Sequence, residues 1–239
     1  MKSVARFAFL AAVGLCANSA AQADTFDFTS CHISSASGGV DCGTVTQFGT
    51  VMLTQSGTSV TFDVVLNSGN RFVETGAGNQ ELFLFNDSIA GSTITGITAT
   101  LDSTTVTIPG GLVGVTNISP AEMADGTGHF TASVQCTPTT PPGSGGSSNC
   151  NGGSTPNIND LHFTVTNATL AQLEVGNDLG NMFVADILCG ATGCPAAPNN
   201  TGLVDVPVPG PIVGAGLPGL IAGCFGLIAL ARRRRKLVV

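Results

Sequence analysis

Six cysteines carry the clearest chemistry in this chain of 239 residues: Cys31, Cys42, Cys136, Cys150, Cys189 and Cys194. Two others, Cys16 and Cys224, sit in apolar stretches close to the two ends. An even set of thiols in an oxidising compartment forms disulfides. Six cysteines allow fifteen pairings, and the spacing favours the local one: Cys31 with Cys42, Cys136 with Cys150, Cys189 with Cys194. Bridges across such short loops stabilise by a few kcal/mol each at most. They staple loops and do not create the fold. Cys189-Gly-Ala-Thr-Gly-Cys194 lacks the CxxC spacing of a thiolate metal site.

Catalytic spacing is missing. The chain has no GxSxG and no HExxH. Gly214-Ala215-Gly216-Leu217-Pro218-Gly219 matches GxGxxG in form, but it lies in an apolar tail with no preceding βαβ strand, so it holds no dinucleotide. Of the three histidines, His162 alternates with Leu161 and Phe163 and so faces solvent or a cross-strand partner. His129, next to Gly128, reads as a loop residue, and His32 carries no motif. A hard-cation site would draw on Asp178, Asp186 and Asp205, with Asn177 beside them and Asp125 and Asp160 elsewhere. Ca²⁺ takes six to eight oxygens, and none of these stretches has the DxDxDG spacing. Solvated acidic loops are the simpler reading. No metal and no catalytic residue is assigned, and Ca²⁺ is the one cofactor left open.

The elements that position these side chains read as strands. Val60-Thr-Phe62-Asp-Val64-Val-Leu66 alternates apolar and polar, the mark of a strand with one buried face. Residues 130–136 and 161–166 share that period. Further strands are expected at 44–54, 81–86, 92–101, 104–108 and 182–188. Turn chemistry breaks the runs at Ser68-Gly69-Asn70, Gly110-Gly111, Asp125-Gly126 and Gly176-Asn177-Asp178. One helical turn is expected at 120–124, with Ser119 as its cap. Residues 137–156 are a Gly-, Ser- and Pro-rich loop. The predicted fold is all-β, a single antiparallel β-sandwich over 24–205.

Both ends read as targeting segments. In residues 1–23, Lys2 and Arg6 precede an apolar stretch, and Ala21-Gln22-Ala23 forms a small-x-small cleavage site. A lipoprotein reading at Cys16 fails on the bulk of Leu15. Residues 206–239 form a tail. Its uncharged run, 212–231, has the length of a membrane-spanning helix, and Arg232, Arg233, Arg234, Arg235 and Lys236 close it on the cytoplasmic side. Between the two ends Arg71 is the one cation and all 15 carboxylates are found there, a formal charge of −14. Such a surface repels nucleic acid. Trp and Tyr are absent, which removes the usual stacking platforms for sugars.

Val208-Pro209-Gly210-Pro211, the apolar run and the terminal Arg cluster together resemble the PEP-CTERM sorting tail of Gram-negative bacteria, with Gly210 in place of the Glu of Pro-Glu-Pro. That family's tail is recognised and cleaved by exosortase, a membrane transpeptidase-like enzyme. An ordinary single-pass anchor is the alternative. Phe62 to Leu66, Phe72 to Gly78, Phe83 to Asn86, Phe183 to Leu188 and the pairs Thr192-Gly193 and Thr201-Gly202 are similar to a pattern in exported β-proteins of the same group. The resemblance implies an exported protein, held at the inner membrane at least transiently and then placed at the cell surface or in the extracellular matrix. A structural or adhesive role is expected, without catalysis. Its implied partners are an exosortase-type enzyme, the membrane and extracellular polysaccharide. A Ca²⁺-dependent polysaccharide-binding module and a secreted hydrolase are the rival readings.

Overall fold

The alternation in residues 59–66 builds the centre of the molecule. Strand β4 (Ser59–Leu66) turns Val60, Phe62, Val64 and Leu66 inward and Thr61, Asp63 and Val65 outward. It pairs on one side with β3 (Gly49–Ser56) through the two-residue turn Gly57-Thr58, where Gly57 has φ +61°. Glycine carries that left-handed conformation without steric cost, which is why it stands at a tight hairpin. On its other side β4 pairs with β13 (Asp160–Thr166), about a hundred residues later in the chain.

The computed structural model describes residues 21–33, 41–74, 81–108, 110–137, 156–195 and 200–209. Within them one antiparallel sheet runs β1 (Gln22–Asp27), β3, β4, β13, β7 (Thr93–Leu101), β8 (Thr104–Thr105). A second, seven-stranded sheet runs β2 (Ser30–Ile33), β15 (Thr201–Pro207), β14 (Asn181–Leu188), β6 (Glu81–Phe85), β12 (Ala132–Cys136), β9 (Leu112–Val115), with β5 (Arg71–Phe72) also on β14. A hairpin of β10 (Glu122–Ala124) and β11 (Gly128–Phe130) stands apart from both.

The inner faces of the two sheets share one core. Phe62 of the first sheet lies 6.2, 5.1 and 6.0 Å, centroid to centroid, from Phe83, Phe85 and Phe183 of the second, and stacks on Phe163 beside it at 4.7 Å. Offset and edge-to-face rings at these distances gain energy beyond the area they bury. Among the described phenylalanines only Phe26 is partly exposed. The described phenylalanines therefore belong to the core, with Phe26 at its edge.

β6 and β14 depart from the one-faced pattern, since both are buried on both sides. Their outer face, with Leu203 of the neighbouring β15, carries a second, small core of Leu84, Val184 and Leu203, covered by Ala124 and Phe130 of the β10–β11 hairpin. This overturns the helical turn expected at 120–124. The weak helical preference of Pro-Ala-Glu-Met-Ala yields to burial of Ala124 and Phe130. The one described helix is instead α1 (Leu170–Leu173), a single turn that seats Leu170 and Leu173 in the main core. Gln172 accepts hydrogen bonds from the Thr169 N–H (3.0 Å) and hydroxyl (2.8 Å) at its start. β15 includes Val206 and Pro207, so the sheet reaches two residues into the segment assigned to the tail.

Candidate functional site

Two disulfides each close one loop. Cys31–Cys42 ties β2 to the segment before β3, with Cα atoms 6.0 Å apart, and Cys189–Cys194 closes the turn after β14 at 5.6 Å. Both distances lie in the ordinary disulfide range. The two loops meet where Thr44 N–H donates to the Gly193 carbonyl at 2.8 Å. Asn70, fully buried, joins them to the sheets. Its amide donates to the Phe48 carbonyl at 2.9 Å and accepts from the N–H groups of Gly190 and Ala191 at 3.1 and 3.2 Å. Cys136 is also disulfide-bonded, while Cys150 lies outside the described residues.

The carboxylates considered for Ca²⁺ stand in different states. Asp178 is exposed and fully engaged: Oδ1 accepts the His129 N–H and Oδ2 meets the His129 ring Nδ1, each at 2.8 Å. These contacts, the backbone one first, hold its carboxyl below the usual range. His129 is thus a strand residue with an ionic partner, not a loop residue. Asn177 and Asn181 both donate to the Thr127 carbonyl, at 2.7 and 2.9 Å, and so clamp the 176–181 turn onto the hairpin.

Asp186 and Asp205 lie on neighbouring strands and on one face, since Asp186 is opposite Leu203 and Asp205 opposite Val184. Both are buried. Burial pushes the Asp205 carboxyl up, against the pull of His32 and a Ser30 hydrogen bond. His32 Nε2 stands 3.5 Å from Asp205 Oδ1. Gly126 covers the other side of that ring. At φ +77°, a Cβ there would come within 2.7 Å of His32 Nδ1. Asp160 serves the sheet, accepting from the Thr100 hydroxyl at 2.7 Å, and Asp125 lies at the hairpin turn. Among the described residues no three His, Cys, Asp or Glu side chains group closely enough to hold a metal ion. His162 faces out and bonds across the strands to Asp63.

Of the targeting residues, Ala21 and Ala23 are exposed and Ala23 already pairs with Thr54 in β1. Val208 is exposed, and its N–H donates to the Gly180 carbonyl at 2.7 Å. Pro209 ends the described chain. Gly210, Pro211, the 212–231 run and Arg232 to Lys236 lie outside the described residues, as do residues 1–20 and most of the 137–156 loop. Among the described residues no helix is long and apolar enough to cross a membrane.

One carboxyl pair has no counterpart in the sequence reading. Glu174, just after α1, is pushed up to about 7 by burial first and then by the charge of Asp24 and a hydrogen bond to it. The folded chain holds this proton more tightly than the unfolded chain, whose carboxyl titrates near 4.5. Stability is therefore greatest below that value and falls as pH rises towards 7. Glu174→Gln removes the charge and with it the loss. Discounted for solvent screening at a half-buried group, the variant should gain on the order of 1 kcal/mol at neutral to alkaline pH, or ~2–4 °C in Tm. Near pH 4 the two proteins should melt together, and a gain of equal size at both pH values would contradict the assignment.

Comparison of the chain with family models, with curated proteins and with solved structures returned no match. The fold and the stapled loops define the class: an antiparallel all-β protein with disulfide-closed loops.

Proposed function

We propose that this chain is an exported β-sandwich protein with a structural or adhesive role outside the cell, and no catalysis. The observation that supports it is the pair of bridges, Cys31–Cys42 and Cys189–Cys194, each closing a loop at the rim of the sheets. Disulfides of this kind persist in oxidising compartments. The acidic surface, with Arg71 its one cation between the two ends, fits a protein that stays dispersed and avoids nucleic acid. In this reading residues 1–23 direct export, and 212–231 anchor the chain in the inner membrane until an exosortase-type enzyme removes the tail. The product then joins the cell surface or a polysaccharide matrix.

Intact-mass analysis of the protein from its producing cells tests this. The expected product starts at Asp24, lacks the Arg-rich end and has its six ectodomain cysteines oxidised. A reduced, full-length chain in the cytosol would end the proposal.

A further inference from the structure

Both ends of the described chain reach the same turn. Asp24, in β1, hydrogen-bonds Glu174. Val208, after β15, donates to the Gly180 carbonyl, and its side chain packs on Gly176, where a Cβ would collide with Val208 Cγ2. The 174–180 segment between these contacts carries two of the most exposed large apolar side chains in the structure: Val175 at 48% and Leu179 at 63%. Val208 adds a third at 43%. The turn itself is rigid. Asn177 Oδ1 accepts the N–H groups of Leu179 and Asn181, both at 2.9 Å, and Asn86 holds the Val175 carbonyl at 2.9 Å.

Chain length determines what this pole faces. Pro209, Gly210 and Pro211 alone separate Val208 from the uncharged run beginning at Ile212. Fully extended, that link reaches about 14 Å from Cα to Cα. The headgroup zone is roughly 5–8 Å deep on each side of the hydrocarbon. A span starting at Ile212 therefore keeps Val208 inside the headgroup zone or within about 6–9 Å of it. We propose that the pole formed by Val175, Leu179 and Val208 is a membrane-facing surface that rests in the headgroup region of a phospholipid bilayer. This rests on the reading of 212–231 as a membrane anchor. The partner is a zwitterionic lipid surface, because an acidic domain whose one described Arg or Lys is Arg71 gains little from anionic headgroups. The raised carboxyl of Glu174 lessens the charge that would oppose the approach.

The absence of Trp from the chain makes the test direct. Leu179→Trp or Val175→Trp, in the full-length protein reconstituted into phosphatidylcholine vesicles, adds one indole at the pole. Val65→Trp adds one to the outer face of β4, also exposed at 44%. Circular dichroism melts first establish that each variant folds. Brominated phosphatidylcholine should cut the emission from positions 175 and 179 by about twofold or more and leave position 65 unchanged, as expected for side chains at the lipid interface. Equal quenching at all three positions would overturn the proposal. So would a blue-shifted indole at 179 that bromine leaves untouched, since a second copy of the chain would then cover the pole. Flotation of the unsubstituted protein separates the two readings. If it floats with the vesicles and position 179 stays unquenched, the anchor stands and the pole does not. If it fails to float, both fall.

Discussion

Phe62→Ala should cost the fold about 3–5 kcal/mol, the range for emptying a large aromatic from a packed core. Phe62 is fully buried and its ring meets four others, three of them from the opposite sheet. Its loss removes apolar area and opens a void where the two sheets touch. Hydrogen bonding keeps each sheet stiff, so single strands cannot buckle in to fill it. The readout is the urea midpoint followed by far-ultraviolet circular dichroism, with the slope unchanged. A drop in Tm of about 10 °C is the thermal counterpart. Val65→Ala, three residues along the same strand but facing water, should cost no more than about 0.5 kcal/mol. Similar losses at the two positions would mean that the inner faces do not share one core.

The second large effect is loss of the Cys31–Cys42 bridge. The two residues are 11 apart in sequence, and the loop-entropy relation assigns such a closure about 3 kcal/mol. Cys31→Ala with Cys42→Ala should lower stability by about that amount, read from the denaturation midpoint under non-reducing conditions. The site adds a reason to expect the full value. β2 is the edge strand of its sheet and pairs only with β15, through four residues from Ser30 to Ile33. Without the bridge its far side has little to hold it. A double variant that melts with the parent would show that β2 is secured by pairing alone.

The strands were legible where burial is one-sided. Val60 to Leu66 and Leu161 to Val165 alternate because one face meets the core and the other water, and both stand as strands close to the expected bounds. Residues 44–54 and 104–108 begin and end differently, as β3 and β8, because pairing partners decide where a strand stops. β6 and β14 carry a signal that was there to read: Glu81-Leu-Phe-Leu-Phe85 and Met182-Phe-Val-Ala lack polar alternation. A run without alternation says that both faces are covered, but not by what. Thr169-Leu-Ala-Gln172 has the capping-box spacing and announces α1 in the same way.

Two local disulfide pairs, Cys31–Cys42 and Cys189–Cys194, also followed from spacing, because a short loop keeps its two cysteines within reach whatever the rest of the chain does. Carboxylate chemistry did not follow. Asp178, Asp186 and Asp205 are close in sequence, yet one is an exposed partner of His129 and two are buried on one face of β14 and β15. Asp24 and Glu174 are 150 positions apart in the sequence and share a hydrogen bond. Nothing in either segment announces that pairing.

The sequence by itself determined the β class, the Cys31–Cys42 and Cys189–Cys194 bridges, the acidic balance and the apolar character of both ends. Each is a property of composition or of neighbours along the chain. Tertiary structure alone decided that β4 pairs with β13, that the β10–β11 hairpin seals a second core, and that Asp24 and Val208 both reach the 174–180 turn. The reason is physical. Strand order and pole placement come from closing one apolar core with every backbone group paired, a condition that involves the whole chain at once.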